Sequence, residues 1–106
     1  MTGQPINAAA ALRRALLARI PRGIVNIVNF SSEDWASLTF SGARHEMLLR
    51  LEGADADRAA DRFLADLDSA EIPVRGHLLA DIATTSRERI GDAVEIGLEA
   101  LTVEEC

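Results

Sequence analysis

The sequence predicts an α+β domain: an antiparallel sheet of about five strands with two helices, in the order α-β-β-β-α-β-β. Three observations carry that prediction. Residues 74–84 and 94–103 both alternate apolar and polar at the two-residue period of a half-buried strand, with Gly91 in the interval where a hairpin has to turn. Much of 24–51 alternates in the same way between polar or glycine-containing breaks. Two stretches, 7–20 and 55–70, repeat their apolar residues at helical spacing instead. The chain of 106 residues, 48% hydrophobic and 26% charged, has the length and composition of one globular domain, 1–106. Aromatic residues make up only 4%, so the expected core is thin, and a thin core favours completion by a partner surface.

In chain order, Asn7 is suited to cap a helix whose stripe is Ala8, Leu12, Leu16 and Ile20, and Pro21-Arg22-Gly23 ends it. Arg13, Arg14 and Arg19 fall off that stripe and read as a solvated face. Ile24 to Phe30 is β-branched and apolar and predicts a strand; Ser31-Ser32-Glu33-Asp34 then reads as a polar turn. Trp35 to Phe40 is a second predicted strand and Arg44 to Leu51 a third, joined at Ser41-Gly42. Only an even-numbered loop puts Ala36, Leu38 and Phe40 on the same face as His45, Met47, Leu49 and Leu51. After Gly53, Asp55 and Asp57 suit a helix N-terminus. Ala56, Ala60, Phe63, Leu67 and Ala70 form the stripe of that helix, with Arg58–Asp61 and Arg62–Asp66 as exposed pairs.

The last two strands form a predicted hairpin. Val74, Leu78, Ala80 and Ile82 share one side, and Arg75, His77 and Asp81 the other. A three-residue loop Ile90-Gly91-Asp92 sets Arg89 opposite Ala93, Arg87 opposite Glu95, Ser86 opposite Ile96, Thr84 opposite Leu98 and Ile82 opposite Ala100. The alternative is a helical last segment, giving a ferredoxin-like variant, because Ile90, Val94, Leu98 and Leu101 also fit a helical stripe. Gly97 and the β-branched Val94, Ile96, Thr102 and Val103 favour the strand.

Several chemistries are poorly served. All 11 basic residues are Arg and there is no Tyr, so lysine Schiff bases and tyrosine acids are absent. Cys106 is the single cysteine, and no His/Cys/Asp/Glu spacing suggests a metal. No glycine-rich phosphate loop and no serine elbow is present, so neither a cofactor nor a catalytic residue is assigned, and an enzymatic role has no motif behind it. The chain is acidic, with net charge −6, which argues against nucleic-acid binding. No apolar run reaches the ~20 residues of a membrane span, and no secretory signal is evident, so a cytoplasmic protein without a membrane partner is expected.

What remains is the outer sheet face. Beside Arg44, Glu46, Arg50, Arg75, His77, Asp81 and Glu99, it is expected to carry Trp35, Leu48, Leu79, Leu101 and Val103, more apolar surface than a solvated sheet face holds unless the first helix covers it. The expected function is therefore non-enzymatic: self-association, most simply as a homodimer, or protein binding by an assembly subunit. The alternative is a small-molecule binding protein or enzyme with a pocket between helices and sheet, using His45 with Asn26 or Ser37. Whether His45 has enclosed polar company or only Met47 and Leu49 separates the two. The element order, a leading helix and a closing hairpin, resembles small phage tail-completion and tail-terminator subunits, which assemble into rings; that resemblance implies an assembly role and rests on element order, not on a residue motif.

Overall fold

The computed structural model describes residues 7–69 and 71–104. It is an α+β fold with a four-stranded antiparallel sheet and two helices: α1 (Ala8–Leu17), β1 (Val25–Ala36), β2 (Ser41–Glu52), α2 (Ala56–Ser69), β3 (His77–Ile90) and β4 (Ala93–Glu104), with sheet order β1-β2-β4-β3. Both helices pack on one face, and Leu12, Leu16, Ala60 and Phe63 meet Met47, Leu49, Leu51, Val94, Ile96 and Leu98 in a single core. Asn7 caps α1 as expected, its Oδ1 accepting from the Ala9 N–H at 2.8 Å. The last residue of the expected α2 stripe, Ala70, and the single cysteine, Cys106, lie outside the described residues.

The sheet has four strands rather than five because the Ser31–Asp34 stretch is not a turn. It continues β1, with Ser31 opposite Glu46, Ser32 opposite His45, Glu33 opposite Arg44 and Asp34 opposite Ala43. β1 is an edge strand, where polar side chains can reach water along the open side. The chain turns later, at Ser37–Phe40, where the Ser37 N–H donates to the Phe40 carbonyl at 2.7 Å. The expected strand Trp35–Phe40 and its loop at Ser41-Gly42 are therefore not present: Leu38 and Phe40 lie in the turn and are exposed instead of sharing the inner face, while β2 buries Ala43, His45, Met47, Leu49 and Leu51 on one side.

The closing hairpin is present, and the last segment is a strand along its whole length. Its register departs from the expected one at both ends. Asp81 to Thr84 pair with Leu101 to Leu98 as predicted, but Ala80 and Thr85 are extra residues at two register shifts. Past Thr85 the loop is Gly91-Asp92 alone, so Ile90 pairs with Ala93, Arg89 with Val94, Arg87 with Ile96 and Ser86 with Gly97. Gly91 carries φ 61° at the first loop position, where a two-residue hairpin turn uses glycine. Arg87 therefore faces α2, not Glu95, and its Nη1 donates to Asp61 at 2.7 Å while Arg89 pairs with Asp57. Asp66 is taken by Arg19. Both carboxylates that the helical spacing assigned to Arg58 and Arg62 thus tie α2 to other elements.

Beyond Ala80 the second shift exchanges the faces at the start of β3. Leu79 lies opposite Thr102 and packs against the core, His77 is 8% exposed, and Leu78, opposite Val103, is 58% exposed. The expected assignment of Leu78 inward and of His77 and Leu79 outward is reversed, because one bulged residue inverts the parity of the strand residues before it, while Val74, ahead of the strand, is buried as expected.

Candidate functional site

Cross-strand pairing lays out the outer face row by row. At one end Trp35, Gly42, Val103 and Leu78 stand in line across all four strands. The next outward row is Glu33, Arg44, Leu101 and Asp81; further along come Ser31, Glu46, Glu99 and Ala83, then Asn29, Leu48, Gly97 and Ser86. The structure thus groups Trp35, Leu101 and Val103 of the predicted surface residues. Leu48 stands apart beyond the Glu46–Glu99 row, and Leu79 is on the opposite face, its place taken by Leu78. No helix among the described residues covers this surface, since α1 and α2 both belong to the inner core.

The first row is close-packed. A Cβ on residue 42 would run into the Thr102 carbonyl oxygen and stand 2.8 Å from the Trp35 ring. Glycine is what allows the indole to lie across β2 beside the strand. The Trp35 Nε1–H is buried without a hydrogen-bond partner among the described residues. A buried indole donor normally has one. Elsewhere on the face two arginines have carboxylates nearby, although Arg50 Nε, like the indole donor, is buried without a hydrogen-bond partner among the described residues. Arg50 approaches Glu52 at 3.4 Å and Glu95 at 3.6 Å, and Arg44 lies 3.9 Å from Glu99.

Under the same end, on the inner face, lies a polar network centred on His45, which has no exposed surface. The Thr102 hydroxyl donates to the Ala43 carbonyl at 3.3 Å and so accepts from His45 Nε2–H at 2.9 Å. That leaves Nδ1 as the acceptor for the Ser32 hydroxyl at 2.6 Å, a neutral tautomer assigned from its partners. Burial lowers the His45 pKa below its ordinary value, His77 nearby lowers it further, and Asp34 opposes the shift. A cavity of about 290 Å³ beside it is lined by the start of α1 at Asn7 and by Ser32, Asp34, His45, His77 and Glu104. His77 donates from Nδ1 to the Arg75 carbonyl at 3.0 Å.

His45 therefore has enclosed polar company, though not the company expected. Asn26 sits at the far end of β1 beside Glu52, and Ser37 closes the β1–β2 loop. Ser32 and Thr102 went unrecognised, Ser32 because its stretch read as a turn and Thr102 because a lone threonine on an apolar face carries no signal. A serine hydroxyl at 2.6 Å from an imidazole matches the spacing of a nucleophile and its base, but the other ring nitrogen meets a hydroxyl and not an orienting carboxylate. Among the described residues no group of three or more His, Cys, Asp and Glu could hold a metal, and no helix is long and apolar enough to cross a membrane.

No protein-family model and no curated protein matches the chain. Among solved structures, a chain of the "Virion of native gene transfer agent (GTA) particle" is similar in fold, with TM-score 0.60 and 17% identity over 94% of this chain and 99% of that one.

Proposed function

We propose that this chain is an assembly subunit that works by self-association, using the apolar end of its outer sheet face. The observation that carries the reading is the row Trp35–Gly42–Val103–Leu78, with Leu101 beside it, lying uncovered on the face opposite both helices. Leu78 is exposed and Trp35, Leu101 and Val103 are half-buried, so covering each contributes less than the roughly 1.5–3 kcal/mol of a side chain taken fully from water, before association entropy is subtracted. A homodimer about a twofold axis is the simplest arrangement, since one patch then meets its own copy. The similarity in fold to a chain of a virion supports a place in a multi-subunit particle.

The polar lining of the His45 cavity favours the second reading, a small-molecule binding protein or an enzyme. Both ring nitrogens of His45 are engaged inside the chain, and that favours a structural histidine. The test is mass in solution by sedimentation, with circular dichroism as the check on folding. Leu101→Glu is expected to lower the mass at fixed concentration while staying folded, and Arg50→Gln, at the charged end, to leave it as in the wild type. A wild type that is monomeric at several tens of micromolar, or a Leu101→Glu variant of unchanged mass, defeats the reading.

A further inference from the structure

A second surface pair lies away from the outer-face row. The tip of the β1–β2 hairpin presents Leu38, fully exposed, and Phe40, 58% exposed. The turn is closed by its own hydrogen bonds: the Ser37 N–H donates to the Phe40 carbonyl at 2.7 Å, and the Phe40 N–H donates to Ser37 Oγ at 3.1 Å. The two side chains are thus presented by an ordered turn, which reduces the conformational entropy lost on docking. Glu33 and Asp34 precede the tip, and neither has an ion pair among the described residues.

On the helical side, α1 and the segment before β3 enclose a groove of about 360 Å³ walled by Ala11, Ala15, Ala18 and Pro73. Arg14 and Arg75 also line it, both exposed and without an ion pair among the described residues. Behind the apolar tip Glu33 and Asp34 stand on the two faces of β1, and the apolar groove has basic neighbours, so tip and groove are complementary in charge.

Building on the reading of the chain as an assembly subunit, we propose that the Leu38–Phe40 tip of one copy docks in the Ala11–Ala15–Ala18–Pro73 groove of a second copy, with Glu33 and Asp34 approaching Arg14 and Arg75. Tip and groove are different surfaces, so the contact is head-to-tail. Each docked copy keeps one free tip or one free groove, and the array closes into a ring or extends as a filament according to the rotation between copies.

The experiment works in the Leu101→Glu background, which removes the outer-face contact. One variant carries Leu38→Asp and Phe40→Asp, the other Arg14→Glu and Arg75→Glu; all four positions are exposed, and milder Leu38→Ser and Phe40→Ser changes repeat the first arm. By sedimentation each variant alone is expected at monomer mass. Their equimolar mixture is expected at twice that mass, because the tip-defective copy still offers a groove and the groove-defective copy still offers a tip. A mixture that stays at monomer mass overturns the docking, as does a variant that associates alone. The outer-face reading is scored separately, by the mass change that Leu101→Glu causes in the otherwise unaltered chain.

Discussion

The two ends of the outer sheet face are built on opposite principles. At one end Arg50 stands between Glu52 and Glu95, and Asn26 reaches Glu52 at 3.5 Å, so charged groups have counter-charges within the subunit even though Arg50 Nε makes no hydrogen bond among the described residues. At the other end Trp35, Leu101, Val103 and Leu78 lie together, and an indole N–H is left without an acceptor. Exposed ion pairs stabilise a fold by about 0–1 kcal/mol and leave a surface content in water. An apolar row gains only when something covers it. On the proposed reading, the surface available for association is the end where the hairpin tip, the start of β3 and the close of β4 meet.

The comparison breaks most decisively at residues 78 and 79. If the bulge at Ala80 sets the faces as described, Leu79→Glu puts a carboxylate into the core beside Thr102 and costs about 3 kcal/mol or more, while Leu78→Glu leaves the fold intact. Urea unfolding of the two variants measures this directly. Equal stability, or a less stable Leu78→Glu, would mean that the start of β3 is turned the other way.

A smaller effect sharpens the contrast between the apolar row above and the histidine network below it. Burial holds the His45 pKa below its ordinary value of about 6.5, so the unfolded chain binds a proton there more readily than the folded one. The stability associated with neutral His45 is complete above about pH 6.5 and is lost as pH falls from there through the folded value. Asp34 offsets part of this, and His77, Asp34 and Glu104 are the other titratable groups around the cavity. Melting temperature measured from pH 7.5 down to 5.5 is expected to fall more steeply for the wild type than for His45→Gln. Parallel pH profiles would show that the imidazole is not held neutral by its surroundings.

The centre of the sheet was legible in the sequence and its edges were not. β2 and β4 have a neighbour on each side and pair from Gly42–Val103 to Glu52–Ala93 without a shift, so plain alternation sorts His45, Met47, Leu49, Val94, Ile96 and Leu98 to the core. β1 and β3 are edges, and each accommodates extra residues: Val28, Ala80 and Thr85 fall at the register shifts. None of these residue types announces a bulge. Near the hairpin turn, the extra residue at Thr85 and the loop shorter by one residue offset each other, which is why Ile82–Ala100 and Thr84–Leu98 pair as expected while Arg87 does not. Of the surface set, Trp35, Leu101 and Val103 were legible together because they lie on β4 or on the part of β1 past its shift; Leu79 was lost to the bulge. The Ser32–His45 pair could have been found by extending the Phe30 alternation two residues further, where Ser32 falls on the inner face.

Trp35, the chain's single tryptophan, stands in the apolar end of the outer face, the surface proposed to join copies. Its emission spectrum followed over a dilution series, alongside the sedimentation mass, is the direct measurement. Emission is expected to shift to the blue as the mass rises, since association removes water from the indole, and Leu101→Glu to suppress both changes together. A mass that rises with no change in Trp35 emission would place the contact elsewhere and contradict the account.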